Sequence, residues 1–168
     1  MTKSTIQAPD TMSSVPQPNW VYPDPFILNI RVDASAIDSY QHVNNSVYLK
    51  WVDDCARAHS LAVGIDCEQA TEFGLGMAVR ESRALYLNAA FEGDSLMVGA
   101  WVLRNDKKLR ITRQFQIVRV ADAKVLVQAE VDYVCIDIKS GKPARMPREF
   151  RELYQPIVQV EANTSIDS

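Results

Sequence analysis

From Met77 to Ile136 the side chains alternate with a period of two through four runs, about Met77 to Ala89, Ser95 to Leu103, Leu109 to Val118 and Val125 to Ile136. Ahead of them lies the one stretch with a strong helical period, where Val47, Tyr48, Trp51, Val52, Cys55, His59, Ala62 and Val63 recur at spacings of three and four. A strand turns every second side chain to one face, and a helix brings its stripe round about every 3.6 residues, so neither pattern can stand in for the other. A single helix with so wide an apolar stripe needs cover, and a sheet with one apolar face needs something to cover. The order of elements therefore predicts an α+β domain in which one long antiparallel sheet wraps a central helix.

Local signals fill in this plan. A short first strand runs from about Phe26 to Val32, with Phe26, Leu28 and Ile30 on one face. On the polar face of the helix, Asp53 and Arg57 form an acid-first i,i+4 pair, and Gly64 stands where a left-handed residue ends a helix. A short helical turn is expected at Glu68 to Phe73, and a turn at Ser140 to Pro143. Gly93-Asp94, Asn105-Asp106 and Ala121-Asp122-Ala123 are turn chemistry, which predicts that the four long runs pair in sequence as a meander. Residues 1–25 carry five of the eight prolines and few aliphatics, and read as a flexible tail whose end, with Trp20 and Tyr22, folds down as an extended anchor before the first strand. Residues 26–160 form the single domain, and 161–168 a loose end.

Composition excludes several classes. A formal charge of -3 and a pI near 5.4 disfavour a nucleic-acid surface, which needs Lys and Arg not outweighed by acid. Cys55, Cys67 and Cys135 are an odd number without metal-ligand spacing and read as buried thiols of a reducing compartment. No run reaches the ~20 apolar residues of a membrane span, and neither a secretory nor a transit segment is legible at the start. The expectation is a soluble cytoplasmic protein with neither nucleic acid nor membrane as partner.

Chemistry concentrates between residues 38 and 51, Asp-Ser-Tyr-Gln-His-Val-Asn-Asn-Ser-Val-Tyr-Leu-Lys-Trp. Asp38 and His42 can move protons. Asn44, Asn45 and Ser46 are residue types that begin helices and leave backbone N–H groups directed outward, toward any developing negative charge.

The string Asp38-x-x-x-His42-Val43-Asn44-Asn45-x-x-Tyr48-x-x-Trp51 resembles the signature of the hot-dog-fold acyl-CoA thioesterases of the 4-hydroxybenzoyl-CoA thioesterase type, which are related to acyl-ACP thioesterases. Gly93-Asp94 between two strands and the order strand, helix, four strands fit as well. The resemblance implies a hot-dog fold and hydrolysis of an acyl-CoA thioester without metal or organic cofactor, in a homodimer or homotetramer whose active site lies between subunits. It implies Asp38 as general base or nucleophile, the Asn45 backbone N–H at the helix start as oxyanion site, His42 holding or polarising the carbonyl, and Asn44 tying down the loop. The plant acyl-ACP enzymes differ: Tyr40 stands in their Asn place, and Ala90 and Phe91 near their further acid and cysteine, which favours CoA over the carrier protein. Another hot-dog scheme puts its carboxylate on the helix, but Asp53 and Asp54 lie on the polar face. The edge strand, 77 to 89, is expected to pair with its twofold mate.

Each residue also has a plain structural reading. Asp38 alone is a turn acid, His42 a satisfied buried histidine, and His59 a structural one. Tyr48 and Trp51 read as core, with Tyr48 a candidate wall of the acyl pocket. Lys107, Lys108 and Arg110 form the densest basic stretch, either a solvated hairpin turn or the grip on the phosphates of CoA. A non-catalytic hot-dog protein that binds an acyl thioester is the alternative of another class.

Overall fold

The computed structural model describes residues 16–157. Strand β1 (Phe26–Arg31) is followed by a 3-10 turn (Ala34–Ala36), helix α1 (Asn45–Ala62), short helix α2 (Cys67–Glu72), strands β2 (Leu75–Tyr86), β3 (Ser95–Asn105), β4 (Arg110–Arg119) and β5 (Val125–Asp137), and helix α3 (Arg148–Leu153). The strands form one five-stranded sheet in the order β1-β3-β4-β5-β2, with every neighbouring pair antiparallel.

The order corrects the expected meander at one place. β3, β4 and β5 do run as a meander, but β2 pairs with β5 along Leu75↔Asp137 to Tyr86↔Val127 and does not touch β3 along a ladder. Residues 87 to 94, with Gly93 at φ +84, form a crossover loop and not a hairpin. The strand stops at Tyr86, short of Ala89, because Leu87 and Asn88 both direct their N–H groups to the Leu126 carbonyl as the chain leaves the ladder. Helix α3 was not legible from the period: it is short, and only Phe150 and Tyr154 mark its buried side.

Both faces of the sheet are covered. Val98, Ala100, Phe115, Ile117, Val127, Ala129 and Val131 pack with Tyr48, Trp51, Val52, Cys55 and Ala56 of α1 in the main core. The opposite face carries Gly99, Trp101 and Gln116, and there the anchor expected before β1 is laid down. Trp20 and Tyr22 meet Trp101 edge to face, the Trp101 indole donates to the Pro23 carbonyl (2.7 Å), and the Gln116 amide takes the Val21 N–H and donates to the Asn19 carbonyl. A Cβ at Gly99 would sit 2.8 Å from the Trp20 ring, so only glycine admits the anchor there. Of the expected tails, residues 1–15 and 161–168 lie outside the described residues.

Helix α1 keeps the pattern of its sequence. Asp53 pairs with Arg57 at 2.9 Å and Lys50 with Asp54 at 2.6 Å, while Gly64 takes a φ of +93 just past the last turn. Cys55 and Cys135 are buried free thiols; Cys67, on α2, is only half-buried, because that helix covers the domain with one side alone.

His59 stacks on Phe26, with ring centroids 5.0 Å apart and its Nδ1 without a partner among the described residues. Burial, and secondarily the Arg113 charge, pushes its pKa down to about 4, against about 6.5 in an unfolded chain. Protons therefore bind the unfolded chain first, so the stability contributed by the neutral ring is complete above pH ~6.5 and is lost as pH falls toward about 4. Urea midpoints measured across that window should fall less steeply in His59→Phe than in the wild type. Identical slopes would show that the ring is not held neutral.

Candidate active site

The start of α1 is built by three successive fastenings. Asn44 is the N-cap: its side-chain oxygen accepts from the Ser46 N–H (2.9 Å) and hydroxyl (2.7 Å), while its own N–H goes to the Ala36 carbonyl (2.9 Å). Asn45 is the first helical residue, so its N–H has no partner inside the helix, and none of the described side chains takes it. This leaves an outward amide where the helix dipole is positive.

The loop that carries the acid is closed on itself. Ile37 bridges to Val43, the Asp38 N–H donates to the His42 carbonyl (3.0 Å), and the Gln41 N–H returns to the Asp38 carbonyl (3.0 Å). Closing so small a loop puts Gln41 at φ +64, a left-handed position that non-glycine residues occupy at a cost of about 1–3 kcal/mol. The Asp38 carboxylate accepts from the Tyr40 N–H (2.9 Å) and lies 4.0 Å from the His42 Nδ1. Its side chain is 23% exposed, so it meets both solvent and the imidazole.

The crossover loop fixes both parts together. Ala90 is completely buried; its carbonyl accepts from the Val43 N–H (2.9 Å) and its N–H donates to the Tyr48 hydroxyl (2.8 Å). Arg119 holds the loop from below, donating to the Ala89 carbonyl and to the Asp94 carboxylate, both at 3.1–3.2 Å. Tyr48 is thus a core residue whose hydroxyl is a structural acceptor, and burial raises its pKa. Tyr86, at the end of β2, closes the other side and donates to the Asn45 carbonyl (3.2 Å).

A cavity of about 200 Å³ opens here, with His42, Asn45, Tyr48 and Tyr86 among its lining residues. Asp38 stands behind His42 and is not part of the wall. The structure therefore brings Asp38, His42, Asn44, Asn45 and Tyr48 to one place. It adds Tyr86, which the sequence alone did not single out, since only the course of β2 shows where its last residue ends.

Lys107, Lys108 and Arg110 lie elsewhere in the chain. They belong to the β3–β4 turn, where the Asp106 carboxylate collects the N–H groups of Lys108, Leu109 and Arg110 at 2.7–2.9 Å and Lys107 donates to the Arg151 carbonyl (2.6 Å). β3 runs from Ser95, close to the crossover loop, to Asn105, so this turn is at the opposite end of the sheet from the helix start. Arg110 joins Arg80 and Arg104 around a separate surface depression.

Replacing Tyr48 by Phe removes the acceptor of a fully buried N–H without changing the ring. Such an orphaned donor costs about 1–3 kcal/mol, which denaturant unfolding should register. A loss below a few tenths would mean that Ala90 does not depend on this hydroxyl.

Comparison with known proteins identifies the family and the fold. Residues 32–153 match the Thioesterase-like superfamily. The long-chain acyl-CoA thioesterase FadM of Escherichia coli is 28% identical over 130 residues, 77% of this chain and 97% of that protein. Among solved structures, the Synechocystis protein Slr0204, a 1,4-dihydroxy-2-naphthoyl-CoA thioesterase, superposes with a TM-score of 0.72 at 17% identity, covering 78% of this chain and 96% of its own. The Staphylococcus aureus protein SAV2348, solved in complex with CoA, gives 0.72 at 18% identity over 84% and 92%. At those identities the two structures establish the shared fold. With the family match spanning most of the domain, the chain belongs to the Thioesterase-like superfamily and has its hot-dog fold.

Proposed function

We propose that the protein hydrolyses acyl-CoA thioesters to the free acid and CoA at the start of α1. The observation that carries this reading is the free N–H of Asn45 at a cavity whose wall includes His42, with the Asp38 carboxylate 4.0 Å from that imidazole. The thioester carbonyl oxygen meets the Asn45 N–H, where the helix dipole and the backbone donor stabilise the charge that grows as the carbonyl is attacked. Asp38 either takes the proton of the attacking water or attacks the carbonyl carbon itself, forming an anhydride that water then opens; in both routes the carbon–sulfur bond breaks and the thiolate of CoA leaves. His42, on the cavity wall 4.0 Å from Asp38, holds the carbonyl or the acid in line.

Asp53 and Asp54 are weaker candidates for the acid. Each is paired to a base one turn along α1, at 2.9 and 2.6 Å, and they are eight and nine residues beyond Asn45. Asp38→Asn should lower kcat by at least about 100-fold while leaving the urea midpoint close to that of the wild type. Thiol release is followed on acyl-CoAs of graded length, on aromatic acyl-CoAs and on acyl carrier protein esters. Equal turnover by the two proteins would remove Asp38 from the reaction, no release from any ester would favour a binding protein, and a higher kcat/KM on carrier protein esters would change the carrier.

The site is proposed to be completed by a second copy. β2 is an edge of twelve residues, paired on one side alone among the described residues, and Val79, on its helix-facing side, is 54% exposed. Pairing β2 with its twofold mate covers both the open ladder and that side chain. Antiparallel pairing brings the Tyr86 end of one β2 beside the Leu75 end of the other, and with it the partner's basic β3–β4 turn, where Lys107, Lys108 and Arg110 would hold the CoA phosphates. Val79→Lys sets a charge in the middle of that seam. Sedimentation should show a dimer or tetramer for the wild type and a monomer with reduced activity for the variant. A fully active wild-type monomer would contradict the shared site.

A further inference from the structure

The core face of β4 reads Ile111, Arg113, Phe115, Ile117, and the second of these is out of place. Arg113 is 4% exposed, and no carboxylate among the described residues lies within 4.0 Å of it. It donates to the Ala56 carbonyl (2.7 Å) and to the Ser60 hydroxyl (2.9 Å), and Ser60 in turn meets the Tyr154 hydroxyl (2.8 Å). The Tyr154 hydroxyl is also within reach of the guanidinium, so neutral oxygens alone, and no carboxylate, receive its N–H donors among the described residues. The guanidinium lies over the Tyr154 ring at 4.8 Å and the Tyr133 ring at 5.7 Å, which fixes its plane.

The surroundings supply no counter-charge. Burial pushes the Cys55 thiol and the Tyr133 phenol up to about 12 and His59 down to about 4, so all three are neutral near pH 7. Asp53 reaches the same cavity, but its carboxylate is engaged by Arg57 at 2.9 Å. A cation taken out of water without an opposite charge is costly, and such a group beside a cavity marks a candidate site.

Arg113 also borders a cavity of about 160 Å³, close to the size (about 150 Å³) known to admit benzene. Met77, Ile111, Phe150 and the rings of Tyr133 and Tyr154 give it an apolar side, and Ser60, Thr71 and the Asp53–Arg57 pair line the rest. Gly76 and Met77 place it at the Leu75 end of β2. In the twofold pairing of β2, that end lies beside the Tyr86 end of the neighbour, hence beside the neighbour's Asn45.

We propose that this cavity receives the distal end of the acyl group and that Arg113 selects acyl groups ending in a carboxylate, the mono-CoA esters of dicarboxylic acids. The inference rests on the hydrolase reading above and names its substrate class. Met77, Ile111 and Phe150 take the methylene chain, and the guanidinium, which has only neutral partners in the free protein, binds the terminal carboxylate through charge-assisted hydrogen bonds. An acyl group that ends in a cation is repelled by the same charge.

The test compares kcat/KM for dicarboxylic mono-CoA esters, from butanedioyl to decanedioyl, each against the unbranched acyl-CoA of equal length. At the length that spans the two sites the wild type should favour the carboxylate-ended ester by about tenfold or more. In Arg113→Met that ratio should collapse to near one or below, mainly through KM, and in Arg113→Lys, which cannot present a planar fork, it should be intermediate. A wild type that prefers the uncharged ester at every length, or an Arg113→Met protein that keeps the wild-type ratio, would overturn the proposal and leave Arg113 as a tether between α1 and β4. Should Arg113→Met fail to fold, the wild-type ratio decides, with Tyr154→Phe, which removes one hydroxyl from the cavity, expected to shift it by a few fold. If no ester is hydrolysed, the hydrolase reading fails by itself, and calorimetry with octanedioate still tests the cavity: binding supports it, and none overturns it.

Discussion

The candidate site depends on the two hydrogen bonds made by the backbone of Ala90. Its carbonyl holds Val43, the last residue of the acid-bearing loop, and its N–H holds the Tyr48 hydroxyl in the first turn of α1. Neither bond is exposed to water, so breaking either leaves an unsatisfied buried group that the rest of the fold must tolerate. Arg119 and Asp94 keep the crossover loop in position, and the sheet beneath keeps Arg119 there. The distance between carboxylate and helix start is thus set by backbone atoms in the core, and the side chains proposed to do the chemistry need only stand at the end of that frame.

This arrangement explains why the helix start can be left electrostatically open. Asn44 satisfies the Ser46 N–H and hydroxyl, which fixes the entrance to the helix, while the Asn45 N–H stays free because none of the described residues is placed to take it. The cap and the proposed oxyanion site are one structure, since the same turn geometry that stabilises the helix aims the free amide. Lys107, Lys108 and Arg110, at the far end of the sheet, would serve such a site through the proposed twofold pairing of β2, and the Arg113 cavity would reach it by the same route.

Much of this was legible in the sequence. The stripe from Val47 to Val63 located α1, Asn44 its cap and Gly64 its end, because each of these follows from local geometry. The alternation located the strands to within three residues at their ends. What was not legible was pairing: Gly93-Asp94 has the chemistry of a turn, but the chemistry does not say whether the strands on either side are neighbours, and here β5 took the place beside β2. Tyr86 was hidden for the same reason. Short α3 carried only Phe150 and Tyr154 as a pattern. Arg113 did leave a signal, a lone cation on the core face of a strand between Ile111 and Phe115, which a period-two reading could have marked as a charge that burial leaves without water.

The central claim is that the reacting carbonyl is held by the first amide of α1. A crystal structure of Asp38→Asn with an intact acyl-CoA tests it most directly. The account predicts the thioester oxygen within hydrogen-bonding distance of the Asn45 N–H, with the residue-38 side chain facing the carbonyl carbon directly or through one water. A thioester group bound away from the start of α1, or with its oxygen turned from the Asn45 N–H, would contradict it.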